Sequence, residues 1–118
     1  MDRNNPIAEI SKAFALRIIK LEQFLKGEKK EYTLSKQVLR SGTSIGANIR
    51  ESIYAQSKAD FISKMSIALK ESSETEYWLE LLHESGYLDD SSYKSIYDDN
   101  NKISATLINI IKKAKQPE

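Results

Sequence analysis

The chain of 118 residues contains no cysteine, two prolines, four glycines and one histidine, His83. Without cysteine there is no disulfide framework, no thiol nucleophile and no cysteine-based zinc site. With one histidine, a single chain cannot assemble a histidine-rich metal centre. Charge of one sign is also missing: 18 Lys and Arg oppose 17 Asp and Glu, a net charge of +1, so no bulk attraction to polyanions is expected. No apolar run approaches the ~20 residues that span a bilayer, and no basic segment leads into an apolar one. The expectation is a cytoplasmic protein without membrane association. What is present is 40% hydrophobic and 30% charged residues, enough for one domain with its own core, spanning residues 1–118.

The few glycines and prolines fall where helices would start or stop. Asn5-Pro6 reads as a cap followed by proline at the first helical position. Ile7, Ile10, Phe14, Ile18, Leu21 and Leu25 then recur in steps of three and four, and Gly27 reads as a left-handed stop. A second stripe joins Leu34, Val38, Gly42, Ile45, Ile49 and Ile53; a third, opening near Asp60, joins Phe61, Met65, Ala68, Ser72, Leu79 and Leu82 up to Gly86. The fourth follows the cap at Leu88-Asp89-Asp90, with Tyr93, Ile96, Asn100, Ile103, Leu107, Ile110 and Ala114. The spacing predicts helices over about 6–26, 33–56, 60–85 and 89–115, with no competing strand. Short connectors make the simplest packing an all-α, up-down-up-down antiparallel four-helix bundle. Gly42 and Gly46 each cost about 1 kcal/mol inside a helix, so close approach of a neighbouring backbone is expected there.

Some residues do not fit one core. By helical geometry Leu16 and Ile19 lie away from the first stripe, and Ile67, Trp78 and Leu81 group well away from Phe61 and Leu79. Large apolar side chains on an outer face predict a contact between subunits. On the second helix Ser41, Ser44, Asn48 and Glu51 form a polar stripe. Ser41 is expected on a wet outer face. Ser44, Asn48 and Glu51 could form a polar seam with Lys70, Ser72 and Thr75 on the third helix, because stranded polar groups cost ~1–3 kcal/mol.

Two stretches resemble a known family. Arg40-Ser41-Gly42-Thr43-Ser44-Ile45-Gly46-Ala47-Asn48-Ile49-Arg50-Glu51 is similar to the "R-S-x-x-S-I-x-A-N-I-x-E" signature of the bacterial four-helix-bundle proteins, also called 23S rRNA intervening-sequence proteins. Ala68-Leu69-Lys70-Glu71-Ser72-Ser73-Glu74-Thr75-Glu76-Tyr77-Trp78-Leu79 resembles the family's "A-L-K-E-x-x-E-T-E-Y-W-L" block. The resemblance covers essentially the whole chain and implies an antiparallel four-helix bundle and a ring-like homopentamer, without implying a reaction. A related branch, the accessory proteins of diversity-generating retroelements, binds nucleic acid through strongly basic pentamers; this near-neutral chain departs from that pattern.

The remaining motifs have plainer readings. Glu80-Leu81-Leu82-His83 matches the E-x-x-H pair of di-iron bundles, but that centre needs two such pairs and two more glutamates. Asp89-Asp90 and Asp98-Asp99 lack the spacing of a calcium loop. Gly42–Gly46 is no phosphate loop, and no serine has both a base and an orienting acid in prospect. No catalytic or metal-ligating residue, cofactor or small-molecule substrate is therefore expected. Residues 6–26 carry four basic and two acidic groups, whereas residues 58–86 carry three and six. Repeated around a ring, Arg17, Lys20, Arg40, Arg50, Lys112, Lys113 and Lys115 would form basic zones. The leading expectation is a non-enzymatic, self-associating interaction module; the alternative is an RNA- or DNA-binding accessory protein using those cations.

Overall fold

A computed structural model describes residues 5–117. They form α1 (Pro6–Gly27), α2 (Leu34–Ser52), α3 (Lys58–Glu84) and α4 (Asp90–Ala114), with no strand among the described residues. Side chains cap three of the N-termini. Asn5 Oδ1 accepts from the Ile7 N–H at 2.9 Å, Ser57 Oγ from Asp60 at 3.0 Å and Asp89 Oδ1 from Ser92 at 2.7 Å. That bond from the Ser92 N–H holds the Asp89 carboxyl below its ordinary range. Gly86 (φ 89°) ends α3, letting the Tyr87 N–H return to the Leu82 carbonyl at 2.9 Å.

The boundaries differ from expectation in three places. Gly27 is helical rather than left-handed; the left-handed residue is Lys30 (φ 56°), after which the Glu31 N–H returns to the Leu25 carbonyl. Helix α2 stops at Ser52, not at 56, because the N–H groups of Ile53, Tyr54 and Ala55 bond back three residues and tighten the last turn. Helix α3 starts at Lys58 because Ser57, rather than Asp60, is its cap.

Contacts along each seam fix the topology. Gly42 meets Ile18 while Gly46 meets Ser11, so α1 and α2 run in opposite directions. Arg40 reaches Glu74 while Glu51 faces Lys64, reversing α3 against α2. Ser72 bonds to Asn100 and His83 to Asp90, reversing α4 against α3. Arg17 then ties α1 to Asp99 of α4 and closes the cycle. The result is the up-down-up-down four-helix bundle, about 50 Å long, in which α1 stands diagonally from α3 and α2 from α4.

Phe14, Ile18, Leu25, Val38, Ile45, Ile49, Met65, Leu79, Leu82, Ile103 and Leu107 are nearly or wholly inaccessible and fill the centre. Several expected core positions differ: Leu34, Phe61 and Tyr93 only pack against the core from its rim, and Ile53 is half-buried. Ile10 is 46% exposed, because its place on α1 turns it toward the open α1–α4 seam rather than the axis. Near the end of α4, Ile111 is buried while Ile110 packs only on the rim. The two glycines do bring α1 and α2 together: a β-carbon on Gly42 would lie 2.8 Å from Ile18 Cγ1, and one on Gly46 3.5 Å from the Ser11 carbonyl oxygen.

Candidate interaction surfaces

The polar stripe of α2 lies against α3, but different residues carry the seam. Ser41 is fully buried, not on a wet face, and hydrogen-bonds Thr75 Oγ1 at 2.8 Å. The outer-face expectation fails because Ser41 lies beside Ile45 and Val38, on the side of α2 turned to α3. Asn48 is half-buried, and its Nδ2 donates to the Ser44 carbonyl of its own helix at 2.9 Å. Glu51 has a 61% exposed side chain 3.9 Å from Lys64. Neither reaches Lys70, Ser72 or Thr75. Both stand at the rim, where Asn48 bonds its own helix and Glu51 faces only Lys64 of α3.

Above Ser41, Arg40 is clamped by Glu71 at 3.0 Å and by Glu74. The bond from Arg40 holds the Glu74 carboxyl below its ordinary range, and the same bond raises Arg40. On the other side of α3, Ser72 Oγ donates to Asn100 Oδ1 at 2.9 Å and lies 2.7 Å from Ser104 Oγ, while Asn100 Nδ2 donates to the Ser72 carbonyl at 3.0 Å. Residues 71–75 thus link α3 to α2 and α4 at once. The two sequence blocks pack against each other through Ser41 with Thr75 and Arg40 with Glu74.

The outer faces are apolar in patches. Leu16 is 55% and Ile19 37% exposed on α1, with the exposed Lys12 and Lys20 one turn either side of Leu16. On α3, Ile67 is 40% exposed, but Trp78 and Leu81 are only half-buried. Trp78 packs against the core and donates Nε1 to Glu74 at 3.3 Å, so less of its ring is open than expected. Tyr77, 54% exposed, takes its place on the face and escaped the sequence reading. Its position four residues before Leu81 was the available signal. Beside Tyr77 lies a shallow depression of about 620 Å³, bounded by Ser66, Leu69, Lys70, Ser73 and Glu74.

The candidate cations divide into two groups. Arg17 is paired with Asp99 and also donates to Ser95 Oγ at 3.0 Å; it crosses the α1–α4 seam beside a cleft of about 620 Å³ over Leu21, Phe24 and Ile96. Arg40 is held by two glutamates. Lys20, Arg50, Lys112, Lys113 and Lys115 are exposed and make no ion pair within 4.0 Å among the described residues. The ends of α2 and α4 share one end of the bundle, which groups Arg50 with the three lysines. Lys58, donating to the Gln116 carbonyl at 3.2 Å, joins them. Lys20 stands apart on α1.

His83 has a local role. Its Nε2 lies 2.7 Å from Asp90 Oδ1, and its ring stacks on Tyr93 with centroids 4.1 Å apart, pinning the α3–α4 turn. Beside it, burial and the charges of Glu80, Glu76 and Glu84 raise the Tyr93 hydroxyl, while a hydrogen bond with Glu76 raises Tyr97. Among the described residues no three His, Asp or Glu side chains are grouped to hold a metal ion. No helix of the described residues is long and apolar enough to cross a membrane.

The pattern of residues behind this architecture matches the family model for 23S rRNA-intervening sequence protein over residues 3–109. The chain belongs to that family. Within the 23S rRNA-intervening sequence family, a solved relative is a protein of unknown function from the S23 ribosomal protein family of Bacteroides thetaiotaomicron. It is 57% identical, with a TM-score of 0.89 over 90% of this chain and 95% of that one. No curated protein matches. Family membership carries the fold with it and no established biochemical role.

Proposed function

We propose that the protein is a non-enzymatic assembly module that works in the cytoplasm as a homo-oligomer, the five-membered ring implied by the family resemblance being the form expected. The observation that carries this reading is the pair of apolar patches, Leu16 with Ile19 one turn on, and Tyr77 with the half-buried Leu81 one turn on, on diagonal helices of a bundle whose core is already complete. Scattered exposed leucines need no partner, but grouped ones on opposite sides expose area that association removes from water. Sedimentation equilibrium or light scattering at micromolar concentration is expected to give a multiple of 13.5 kDa. A strict monomer overturns the reading.

A second reading, an RNA- or DNA-binding role, draws on one observation: Arg50, Lys58, Lys112, Lys113 and Lys115 share one end of the bundle and make no ion pair among the described residues. Arg17 and Arg40 drop out of it, since their charge is already matched. If the basic end binds phosphates, a gel-shift titration detects a complex at ~50 mM salt that weakens steeply as salt rises. Absence of a complex at that salt removes this reading and leaves the assembly role intact.

A further inference from the structure

We propose that the cleft in the α1–α4 seam is a binding site for a small amphipathic anion, an apolar body that ends in a carboxylate or a phosphate. It shares no lining residue with the Leu16 and Tyr77 patches or with the basic end of the bundle.

The cleft follows from what α4 lacks. On its core stripe the position one turn before Ile96 is Ser92, with Ser91 and Ser95 beside it. Three small side chains thus stand where branched apolar ones would close the seam. About 620 Å³ stays open above Leu21, Leu88 and Ile96 and along Phe24, whose ring is 40% exposed. Small-molecule sites are usually of ~300–1,000 Å³.

The lining is sorted by chemistry. An apolar floor lies between three serine hydroxyls on α4 and two cations, Arg17 and Lys20, on α1, and no carboxylate bounds the cleft. Lys20 makes no ion pair among the described residues, so its charge is unmatched. Arg17 has five N–H donors, and its bonds to Asp99, the Ser95 carbonyl and Ser95 Oγ use three of them. Its partner Asp99 lines the next depression along the seam, with Ile10 and Lys102. Asp89, which precedes the serines, is taken up by the Ser92 N–H, and Lys29 lies over the Phe24 ring at 5.8 Å from its centre. An anionic head therefore meets spare donors and an unpaired ammonium, while an apolar body covers Phe24. The other depressions lack this combination. The one beside Tyr77 sets Lys70 against Glu74, and the one over Gly46, between Lys12 and Arg50, holds only about 210 Å³.

Four compounds with one tail test the head: octanoate, octyl phosphate, octan-1-ol and octylammonium. Titrated into protein with labelled Leu and Ile methyl groups, the two anions are expected to move the Leu21, Leu88 and Ile96 resonances. They are expected to bind roughly tenfold or more tightly than octanol, the gain that a charge-assisted hydrogen bond supplies. Whichever anion binds more tightly identifies the headgroup, and octylammonium is expected to bind more weakly than octanol. Lys20→Glu, at an exposed and unpaired position, is expected to keep the parent's circular dichroism. It is expected to bring both anions down to the octanol level while leaving octanol unchanged.

Equal affinity for octanol and the anions would overturn the proposal. So would shifts centred on methyl groups outside the cleft, no binding by any of the four, or a Lys20→Glu variant that binds the anions as the parent does.

Discussion

Gly42→Ala is expected to lower the stability of the subunit by about 1–3 kcal/mol, although alanine is the better helix former by about 1 kcal/mol. The reason is distance. The new methyl would sit 2.8 and 2.9 Å from the two γ-carbons of Ile18 and 3.2 Å from its β-carbon. Those atoms lie near the root of a fully buried side chain and cannot swing aside as a flexible tip would, so α1 and α2 must separate or Ile18 must leave its rotamer. Gly46→Ala is the matched control. Its methyl would meet Ser11 at 3.4–3.6 Å, ordinary or slightly tight contact, so the propensity gain largely survives and stability is expected to stay level or rise by up to ~1 kcal/mol. Urea unfolding followed by circular dichroism checks both; equal effects at the two sites would mean that the α1–α2 spacing is not what Gly42 protects.

Asn100→Leu is expected to destabilise by about 1–3 kcal/mol, despite adding apolar volume at a position 2% exposed. Ser72 Oγ would lose the acceptor it now finds at 2.9 Å, and only Ser104 would remain within reach. Adding Ser72→Ala removes the stranded hydroxyl and is expected to restore most of the loss, because deleting both members of a buried polar pair costs far less than deleting one. The same unfolding measurement on the three variants gives the coupling between the positions. Additive losses would place the cost in crowding by leucine rather than in the hydrogen bonds.

These two sites also mark how far sequence reasoning reached. The glycine pair was legible: two poor helix formers four residues apart, inside an amphipathic stripe, require a close neighbour, and Ile18 and Ser11 supply it. Asn100 was legible only as a polar member of the fourth stripe; that Ser72 answers it depends on the register of α3 against α4. The reading of Ser41 went wrong in the same way. Its angle on α2 was right, but whether that angle meets water or α3 depends on where the third helix stands. Ile10 erred in the opposite sense, an apolar residue of the right period left open because α1 and α4 pack less closely than the other neighbours. Trp78 was placed on the outer side by its angle alone, yet a ring that wide reaches back over the rim to the core, leaving the smaller share of the face to it and the larger to Tyr77.

The sequence by itself determined four amphipathic helices, the caps of the first and the last, their antiparallel order and the family to which they belong. The helices and their order follow from local periodicity, turn residues and short connectors, and the family from the resemblance of the two signature blocks on the second and third helices. Only the tertiary structure decided which cations are already neutralised, which hydroxyls pair across the seams and which apolar side chains remain open to a partner. Those properties depend on distances between residues far apart in the chain, and a helical period specifies a direction around one axis without specifying what stands there.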